Sequence, residues 1–351
     1  MNSTIGRLML SAGVAAGLSL AAGAAMARDL TVAGWGGTAQ AAQNTAMFQP
    51  YVKETGNALI QDSWNGGIGV LRTKVQGDST WDVVQVEADE LVIGCEEGIY
   101  AKLDWTKLGN RDEYLPGMAH DCGVGTFVWS TALAYDKSKL GENGPKSWAD
   151  FFDTKKFPGK RSLRRGPRQS LEFALMADGV APGDVYKVLA TKEGVDRAFK
   201  KLDTIKKDIV WWEAGAQPVQ LLQSGEVTMT SVYNGRIFAV NNADKTNFAL
   251  AWPAGFIYQV DSWAILANSP NKDQAEGFLK FIQTSARQQD VANVLAYGPT
   301  LKNSTSLIKP NVLPYLPTAP GVIEHGLGFN TAFWVDNIEA LNERFNAWAA
   351  N

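Results

Sequence analysis

The sequence predicts an α/β fold with a mainly parallel sheet. Strand patterns at 29–33, 58–63 and 81–89 alternate with helical patterns at 38–56 and 69–75. Strands and helices that alternate in this way form parallel sheets flanked by helices. Within the third strand pattern, Asp82-Val83-Val84-Gln85-Val86 is apolar enough for a central, parallel strand.

Two longer strand patterns predict that the chain forms two lobes. The run 123–135 is long and apolar, and we expect it to cross from a first lobe to a second. The chain beyond it contributes shorter strands at 209–213, 227–233 and 248–252. The run 256–266 is a further buried strand, rich in aromatic and β-branched residues.

The first 27 residues have the pattern of an export signal. Arg7 precedes an apolar stretch of small residues, and Ala25-Met26-Ala27 is a small-x-small cleavage pattern. We expect cleavage there, export to the periplasm, and a mature chain of 324 residues (351 − 27), which is long enough for two domains. Loss of Arg7 changes the formal net charge from −3 to −4, which provides no basic surface for nucleic acid.

The residue types that catalysis and metal binding need are scarce. Cys95 and Cys122 are the two cysteines, and in an exported chain we expect them to form one disulfide. No CxxC pair favours a redox or zinc role. His120 and His325 show no metal-ligand spacing, and no GxSxG pattern occurs. We therefore predict no metal and no cofactor, and a binding protein rather than a catalyst; a secreted enzyme that uses the same cleft is the alternative.

Two charged residues in apolar surroundings predict a cleft for a small charged molecule. Asp261 lies near the middle of the strand at 256–266, and Arg236 follows the strand at 227–233. A buried carboxylate is costly unless a cation or several donors meet it. One interpretation places Asp261 and Arg236 on facing walls of a ligand-binding cleft. The other is a structural ion pair between them.

Further candidate residues lie at strand ends, where such a cleft is expected. Glu87 follows a central strand at its carboxyl end, where open α/β sheets bind ligands, although an acid there also suits a helix start. Trp35 and Gly36 follow the first strand, and glycines there allow a ligand to approach closely. Trp129 lies midway along the first long strand, where core packing is the alternative.

The run 159–168 has five cations and no acid. Such a run is usually a solvated surface. Because it leads into a helical pattern at 169–178, Arg165 or Arg168 is also a candidate for the cleft wall.

In their order, these features resemble the periplasmic polyamine-binding proteins, the spermidine/putrescine receptors of ABC importers. The resemblance rests on the export signal, Trp35, Asp82-Val83-Val84 before Glu87 to Asp89, Ser147-Trp148-Ala149-Asp150, Tyr233-Asn234-Gly235, Asp261-Ser262-x-Ala264-Ile265 and Tyr297-Gly298-Pro299-Thr300.

The resemblance implies the two-lobed type II periplasmic-binding-protein fold, with two strands crossing between lobes that close around a ligand. Lobe 1 is then expected at 28–130 and 263–305, and lobe 2 at 131–262 and 306–351. The protein is expected to be a monomer that delivers its ligand to a membrane permease and its ATPase.

The resemblance also implies roles for individual residues. Asp261 matches the aspartate that binds a ligand ammonium, and Tyr233 matches an aromatic wall. Together with the candidates above, the predicted ligand-binding set is Trp35, Gly36, Glu87, Asp89, Trp129, Arg165, Tyr233, Arg236, Gln259, Asp261, Tyr297 and Asn330.

The charges of this chain depart from the polyamine-receptor pattern. Arg236 stands where some members have an acid, arginines precede the helix at 169–178 where the family has an acid, and Gln259 replaces an aromatic residue. A polyamine needs an acid for each buried ammonium and aromatic faces for its methylenes, whereas arginine prefers a carboxylate or phosphate. We therefore predict an ω-amino acid such as 4-aminobutyrate, with its ammonium at Asp261 and its carboxylate at Arg236. Putrescine or spermidine is the alternative, and a metal-ion receptor is disfavoured because no Tyr or His cluster is present.

Overall fold

The computed structural model describes residues 28–77, 79–115 and 117–350. The predicted export signal at 1–27 lies outside these residues. Within them, none of the helices combines the length and the apolar character needed to cross a membrane.

The strands of the described chain form one mixed sheet, whose main order is β2-β1-β3-β9-β4-β7-β5-β6. Strands β8 and β10 pair with β4, and β11 pairs with β9. The strands are β1 (Leu30–Gly34), β2 (Leu59–Ser63), β3 (Val83–Val86), β4 (Gly123–Asp136), β5 (Lys160–Arg164), β6 (Ile209–Trp212), β7 (Val227–Tyr233), β8 (Phe248–Leu250), β9 (Phe256–Ile265), β10 (Gly298–Pro299) and β11 (Gly326–Gly328).

Helices cover the sheet, and a π-helical turn joins α1 to α2 into one continuous helical segment. The helices are α1 (Gly37–Gln43), α2 (Gln49–Thr55), α3 (Ile68–Gln76), α4 (Ala88–Glu96), α5 (Trp105–Leu108), α6 (Lys137–Leu140), α7 (Trp148–Phe152), α8 (Ser170–Ala177), α9 (Val185–Leu189), α10 (Lys192–Asp203), α11 (Gln217–Ser224), α12 (Asn234–Asp244), α13 (Lys272–Ile282), α14 (Ser285–Leu295) and α15 (Thr331–Ala350).

Two long antiparallel strands join the two halves of the sheet, as predicted. Strand β4 pairs with β9 up to Thr131 and then with β7 from Thr131 to Tyr135. Strand β9 pairs with β4 and, from Ser262 to Ile265, also with β3. Because β1–β3 and β5–β7 are each parallel sets, β4 and β9 are the strands that run from one half to the other.

Each half has its own apolar core. Side chains of β1 and β3 pack with α13 in the β1–β3 half, for example Val32 and Phe278. In the β5–β7 half, Leu163 and Phe173 pack with Trp148, and α15 adds Phe345 to the same core. The lobe bounds given above remain a prediction.

Strand β5 and helix α12 are among the elements that the sequence patterns did not predict. Strand β5 lies within the cationic run, for which the sequence left two interpretations open, a solvated surface or part of the cleft wall. Its Arg161 is 0% exposed and donates hydrogen bonds to four backbone carbonyls, those of Phe151, Asp153, Phe157 and Gly159. Its guanidinium donates to backbone carbonyls that would otherwise need water. Because its own donors are satisfied in this way, the charged side chain can be buried in a strand. Helix α12 begins directly after β7, so Arg236 lies in its first turn.

Cys95, at the end of α4, and Cys122, just before β4, are bonded in the structure, with their Cα atoms 5.7 Å apart. This is the pairing that the sequence predicted. The bond connects α4 to the beginning of a crossing strand.

Candidate ligand-binding cleft

A cleft lies over β4 and β9, where the two halves of the sheet face each other. It contains about 450 Å³ of space between atoms, part of it open to solvent. The lining residues are Trp35, Ala39, Trp64, Asn65, Glu87, Phe127, Trp129, Arg164, Glu213, Gly215, Tyr233, Arg236, Asp261 and Tyr297.

The Asp261 carboxylate is buried in this cleft and accepts hydrogen bonds from neutral donors. One oxygen accepts from Trp35 Nε1 at 2.5 Å and from Gln85 Nε2 at 2.8 Å. The other oxygen accepts from Trp129 Nε1. No ion pair to Asp261 is formed by the residues of the described chain, so this carboxylate has donors but no cation.

Burial raises the pKa of the Asp261 carboxyl well above its ordinary value. Repulsion from the Glu87 carboxylate raises the pKa further, and the hydrogen bonds from Trp129, Trp35 and Gln85 oppose the shift. A ligand ammonium at this position would favour the ionised form, because it supplies the missing opposite charge.

The sheet explains why these donors meet one carboxylate. Strands β1, β3, β9 and β4 are neighbours in the sheet. Gln85 lies in β3 and Trp129 in β4, while Trp35 directly follows β1. Asp261 pairs with Phe127 of β4, next to a bulge between Gly125 and Phe127. Such bulges redirect side chains locally and occur often beside functional sites.

Aromatic rings enclose the space beside Asp261. Trp35 stacks on Trp64, with ring centroids 5.2 Å apart. Trp129 meets Tyr233 edge to face at 4.8 Å. Walls of this kind bury methylene groups and also attract cations through their π faces. Burial raises the pKa of Tyr233 to about 12, so its hydroxyl stays protonated and neutral at physiological pH.

Arg236 supplies a positive charge to the same cleft. It is 4% exposed, its Nη1 donates to Thr38 Oγ1 at 3.3 Å, and its Nε has no hydrogen-bond partner in the structure. Neither Asp261 nor any other carboxylate of the described chain forms an ion pair with it. The structural ion pair between Arg236 and Asp261, which the sequence left as an alternative, is therefore not formed.

Two glycines make room for this guanidinium. A Cβ atom at Gly37 would lie 2.5 Å from Arg236 Nη1, and one at Gly215 would lie 3.0 Å from its Nε and Nη2. Gly37 also has a φ of 54°, a left-handed conformation that favours glycine. Gly37 and Thr38 belong to α1, so Arg236 reaches from the β5–β7 half to the β1–β3 half.

Glu87 also lines the cleft, but its carboxylate already has two cationic partners. Its Oε1 lies 2.7 Å from Arg164 Nη1 and its Oε2 lies 2.7 Å from Arg168 Nη1. Arg168 also contacts both oxygens of Asp89 at 2.9 Å. Burial alone would raise the pKa of Glu87, but Arg164 and Arg168 hold it below its ordinary value. Glu87 is therefore not free to bind a ligand ammonium, which corrects the sequence expectation that it would join Asp261 in this role.

Seven of the twelve predicted site residues line the cleft. They are Trp35, Glu87, Trp129, Tyr233, Arg236, Asp261 and Tyr297.

Two of the predicted residues, Arg165 and Asn330, do not line the cleft, which corrects the expectation for their side chains. Arg165 has a side chain that is 46% exposed and lies 3.5 Å from Glu213, because it follows the last residue of β5 while Arg164 points inward. Asn330 is exposed, and its side chain accepts from the Phe333 amide at the start of α15. Its role in the structure is to cap that helix.

The remaining three lie near the cleft without lining it. Gly36 precedes α1 and donates its amide to Gln40. Asp89 is buried against Arg168. Gln259 is two residues from Asp261 on β9 and pairs with Trp129; it is 4% exposed, and its amide atoms have no hydrogen-bond partner.

Four important residues were not predicted: Trp64, Gln85, Phe127 and Arg164. Phe127 is two residues before Trp129 in β4 and therefore on the same face, a spacing that was available in the sequence. Trp64, just after β2, had no such signal, because its position depends on its packing against Trp35 and Trp81.

One group of side chains in the described chain could hold a metal ion by distance alone. Ligand atoms of Cys95, His120 and Cys122 lie within 4.8 Å of one another. Both sulfurs are used in the bond between Cys95 and Cys122, so the group does not offer a set of free ligands in this structure.

Several known proteins are similar to this chain in sequence or in structure. The sequence profile of the bacterial extracellular solute-binding proteins matches residues 46–315. A gamma-aminobutyric acid-binding protein of Pseudomonas aeruginosa is 45% identical over 336 residues, covering 95% of each chain. The spermidine/putrescine-binding periplasmic protein of Escherichia coli is 23% identical over 276 residues, covering 76% of this chain and 77% of that one.

Solved structures agree in fold. The periplasmic binding protein MotA of A. tumefaciens B6, in complex with glucopine, has a TM-score of 0.85 and 32% identity, covering 92% of this chain and 99% of that one. The Atu4243-GABA receptor has a TM-score of 0.79 and 35% identity, covering 92% and 98%. These likenesses confirm the predicted two-lobed fold and the resemblance to importer-type receptors. The chain belongs to the family of bacterial extracellular solute-binding proteins.

Proposed function

We propose that this protein is the periplasmic receptor of an ABC importer for an ω-amino acid such as 4-aminobutyrate. The observation that carries the proposal is the pair Asp261 and Arg236. Both are buried in one cleft, their charges are opposite, and neither has an ionic partner in the described chain. A guest with an ammonium at one end and a carboxylate at the other would supply both missing charges.

The aromatic walls fit the middle of such a guest. Trp35, Trp129 and Tyr233 line the same cleft; both indoles donate to Asp261, and Tyr233 packs against Trp129. A short methylene chain would pack against these rings, and the gain comes from the apolar area removed from water. The planar guanidinium of Arg236 can donate paired hydrogen bonds to a carboxylate, which the ammonium of a lysine could not do as well.

The comparisons support the same ligand class. The relative of higher identity described above is a receptor for gamma-aminobutyric acid, which is 4-aminobutyrate, and the polyamine receptor is more distant. The polyamine alternative requires an acid for each ammonium, and Asp261 is the buried acid of the cleft lining that has no cationic partner.

The location and partners follow from the proposed role. An export signal at the N-terminus and a disulfide between Cys95 and Cys122 suit the oxidising periplasm. A monomeric receptor would pass the solute to a permease and its ATPase in the membrane. We propose this assignment of location and partners together with the ligand class.

Isothermal titration with purified ligand-free protein tests the proposal. We expect 4-aminobutyrate to bind and putrescine and spermidine to bind much more weakly. Arg236→Gln should weaken 4-aminobutyrate binding by about 100-fold, since it leaves a buried carboxylate unpaired. Arg197→Gln, which removes an arginine paired with Asp178 on the exterior, is the matched control.

Two results would contradict the proposal. One is tight polyamine binding together with no heat from ω-amino acids. The other is recovery of a chemically altered solute after incubation, which indicates an enzyme rather than a receptor.

A further inference from the structure

The acids of the cleft differ in whether a cation already holds them. Asp261, Glu87 and Glu213 are the acidic residues that line it. Glu213 lies at the rim, where its side chain is 65% exposed and 3.5 Å from Arg165. An ammonium beside Glu213 would stay hydrated, and such exposed pairs contribute little. The buried choice for a second ammonium is therefore Glu87.

Glu87 is closed to that role by two arginines from the other half of the sheet. Arg164 is the last residue of β5, and Arg168 follows in the turn before α8. Their side chains are 11% and 15% exposed, and that of Glu87 is 4% exposed. Each arginine has one nitrogen 2.7 Å from a different oxygen of Glu87.

The same arginines would repel a second cation directly. Arg164 itself lines the cleft next to Glu87. An ammonium placed there would have to displace a buried ion pair and then lie close to a guanidinium. Rejection of a wrong ligand by a like charge is a common source of specificity.

We propose that Arg164 and Arg168 determine ligand specificity: by pairing with Glu87 inside the protein, they exclude a second ammonium and so reject diamines. This inference rests on the proposed function in one respect, namely that the cleft binds a small amine at Asp261. It adds the physical reason why an amine with one cationic end would be accepted and a diamine would not.

The experiment compares putrescine and 4-aminobutyrate by isothermal titration in the wild type and in Arg164→Ala. The substitution removes one partner of Glu87 and opens space beside it. We expect putrescine affinity to rise at least about tenfold, since a close charge pair becomes available to the second ammonium. The affinity for 4-aminobutyrate should change less.

A second substitution shows whether Glu87 is the group responsible. Glu87→Gln combined with Arg164→Ala should return putrescine affinity to the wild-type value. A general loosening of the cleft would leave the gain in place. Arg168→Ala provides an independent variant with the same expected gain if Arg164→Ala does not fold, and Arg197→Ala is the matched control.

Unchanged or weaker putrescine binding in both arginine variants overturns the inference, as does a gain that persists without Glu87. Tight putrescine binding by the wild type overturns it as well. Failure of the proposed function gives a different result, because the wild type then shows no heat with any ω-amino acid. The ratio of putrescine affinities between variant and wild type still tests the role of the arginines in that case.

Discussion

Asp261 and Glu87 are both buried carboxylates in one cleft, but their surroundings are opposite. Asp261 accepts from two indoles and an amide and has no cation among the described residues. Glu87 lies between two guanidinium groups. Burial dominates at Asp261 and raises its pKa, whereas the arginines prevail at Glu87 and lower its pKa. The presence of an acid in a cleft therefore says less about the ligand than whether that acid is already paired.

The largest expected effect comes from exchanging each carboxylate for its amide. Asp261→Asn should weaken 4-aminobutyrate binding at least about 100-fold, because the ammonium loses its buried counter-charge. Glu87→Gln should instead lower the melting temperature, because it leaves the buried Arg164 with a neutral partner and Arg168 with Asp89 as its remaining carboxylate. Titration calorimetry and thermal melts measure the two effects, with circular dichroism to confirm folding.

The comparison fails if the two variants behave alike. Equal loss of affinity in Asp261→Asn and Glu87→Gln would mean that both acids contact the ligand. Equal loss of stability with intact binding would mean that neither does.

A smaller effect is expected when one donor to Asp261 is removed. Trp35→Phe deletes the indole N–H that lowers the pKa of Asp261, so this pKa should rise further. Because the ammonium needs the ionised carboxylate, affinity falls as the pH drops, and the midpoint of this fall should move to higher pH. At neutral pH we expect a loss of about tenfold, the value of a strong hydrogen bond.

Trp348→Phe is the matched control for Trp35→Phe, since it removes an indole hydrogen bond to Asp203 outside the cleft. The affinity measured against pH should be the same as in the wild type. If Trp35→Phe does not move the midpoint of affinity against pH, then this indole does not affect the pKa of Asp261.

The smallest effect concerns a buried acid that accepts from neutral donors and does not line the cleft. Glu172 accepts from Trp334 Nε1 at 2.8 Å and from the Tyr186 hydroxyl at 3.1 Å, and burial raises its pKa to about 7. The folded state binds this proton more tightly than the unfolded state, so the stabilisation is complete below the ordinary pKa of 4.5 and is lost as the pH rises through about 7.

Glu172→Gln should therefore raise the melting temperature at pH 8 by about 2 °C, which corresponds to roughly 1 kcal/mol in a chain of this size. It should do so without changing ligand affinity. An equal melting temperature of the variant and the wild type at pH 8 would contradict the assigned pKa direction.

The sequence predicted the crossing strands and the charged pair because their signals are local. Long runs rich in apolar, aromatic and β-branched residues mark β4 and β9, and an aspartate within such a run is conspicuous wherever the rest of the chain lies. The pairing of Glu87 with Arg164 could not be predicted in this way, since it joins residues 77 positions apart across two halves of the molecule.

Strand β5 shows why composition left the role of the cationic run at 159–168 open. Arg161 and Arg164 are both charged, yet one satisfies carbonyls of a turn and the other an acid of the opposite half. Composition alone cannot distinguish an arginine in water from one whose donors are all met by the protein. Asn330 shows the reverse error, because a residue in a position typical of a ligand contact serves as a helix cap.

The indole groups around Asp261 also provide a built-in optical reporter. Trp35 and Trp129 donate to a carboxylate that is held by strands adjacent in the sheet, so this part of the site does not depend on where Arg236 lies. Binding of the ligand ammonium at Asp261 should change the fluorescence emission of these tryptophans before Arg236 contacts the ligand carboxylate. Stopped-flow fluorescence would then resolve capture and enclosure as separate phases, and Arg236→Gln should remove only the second.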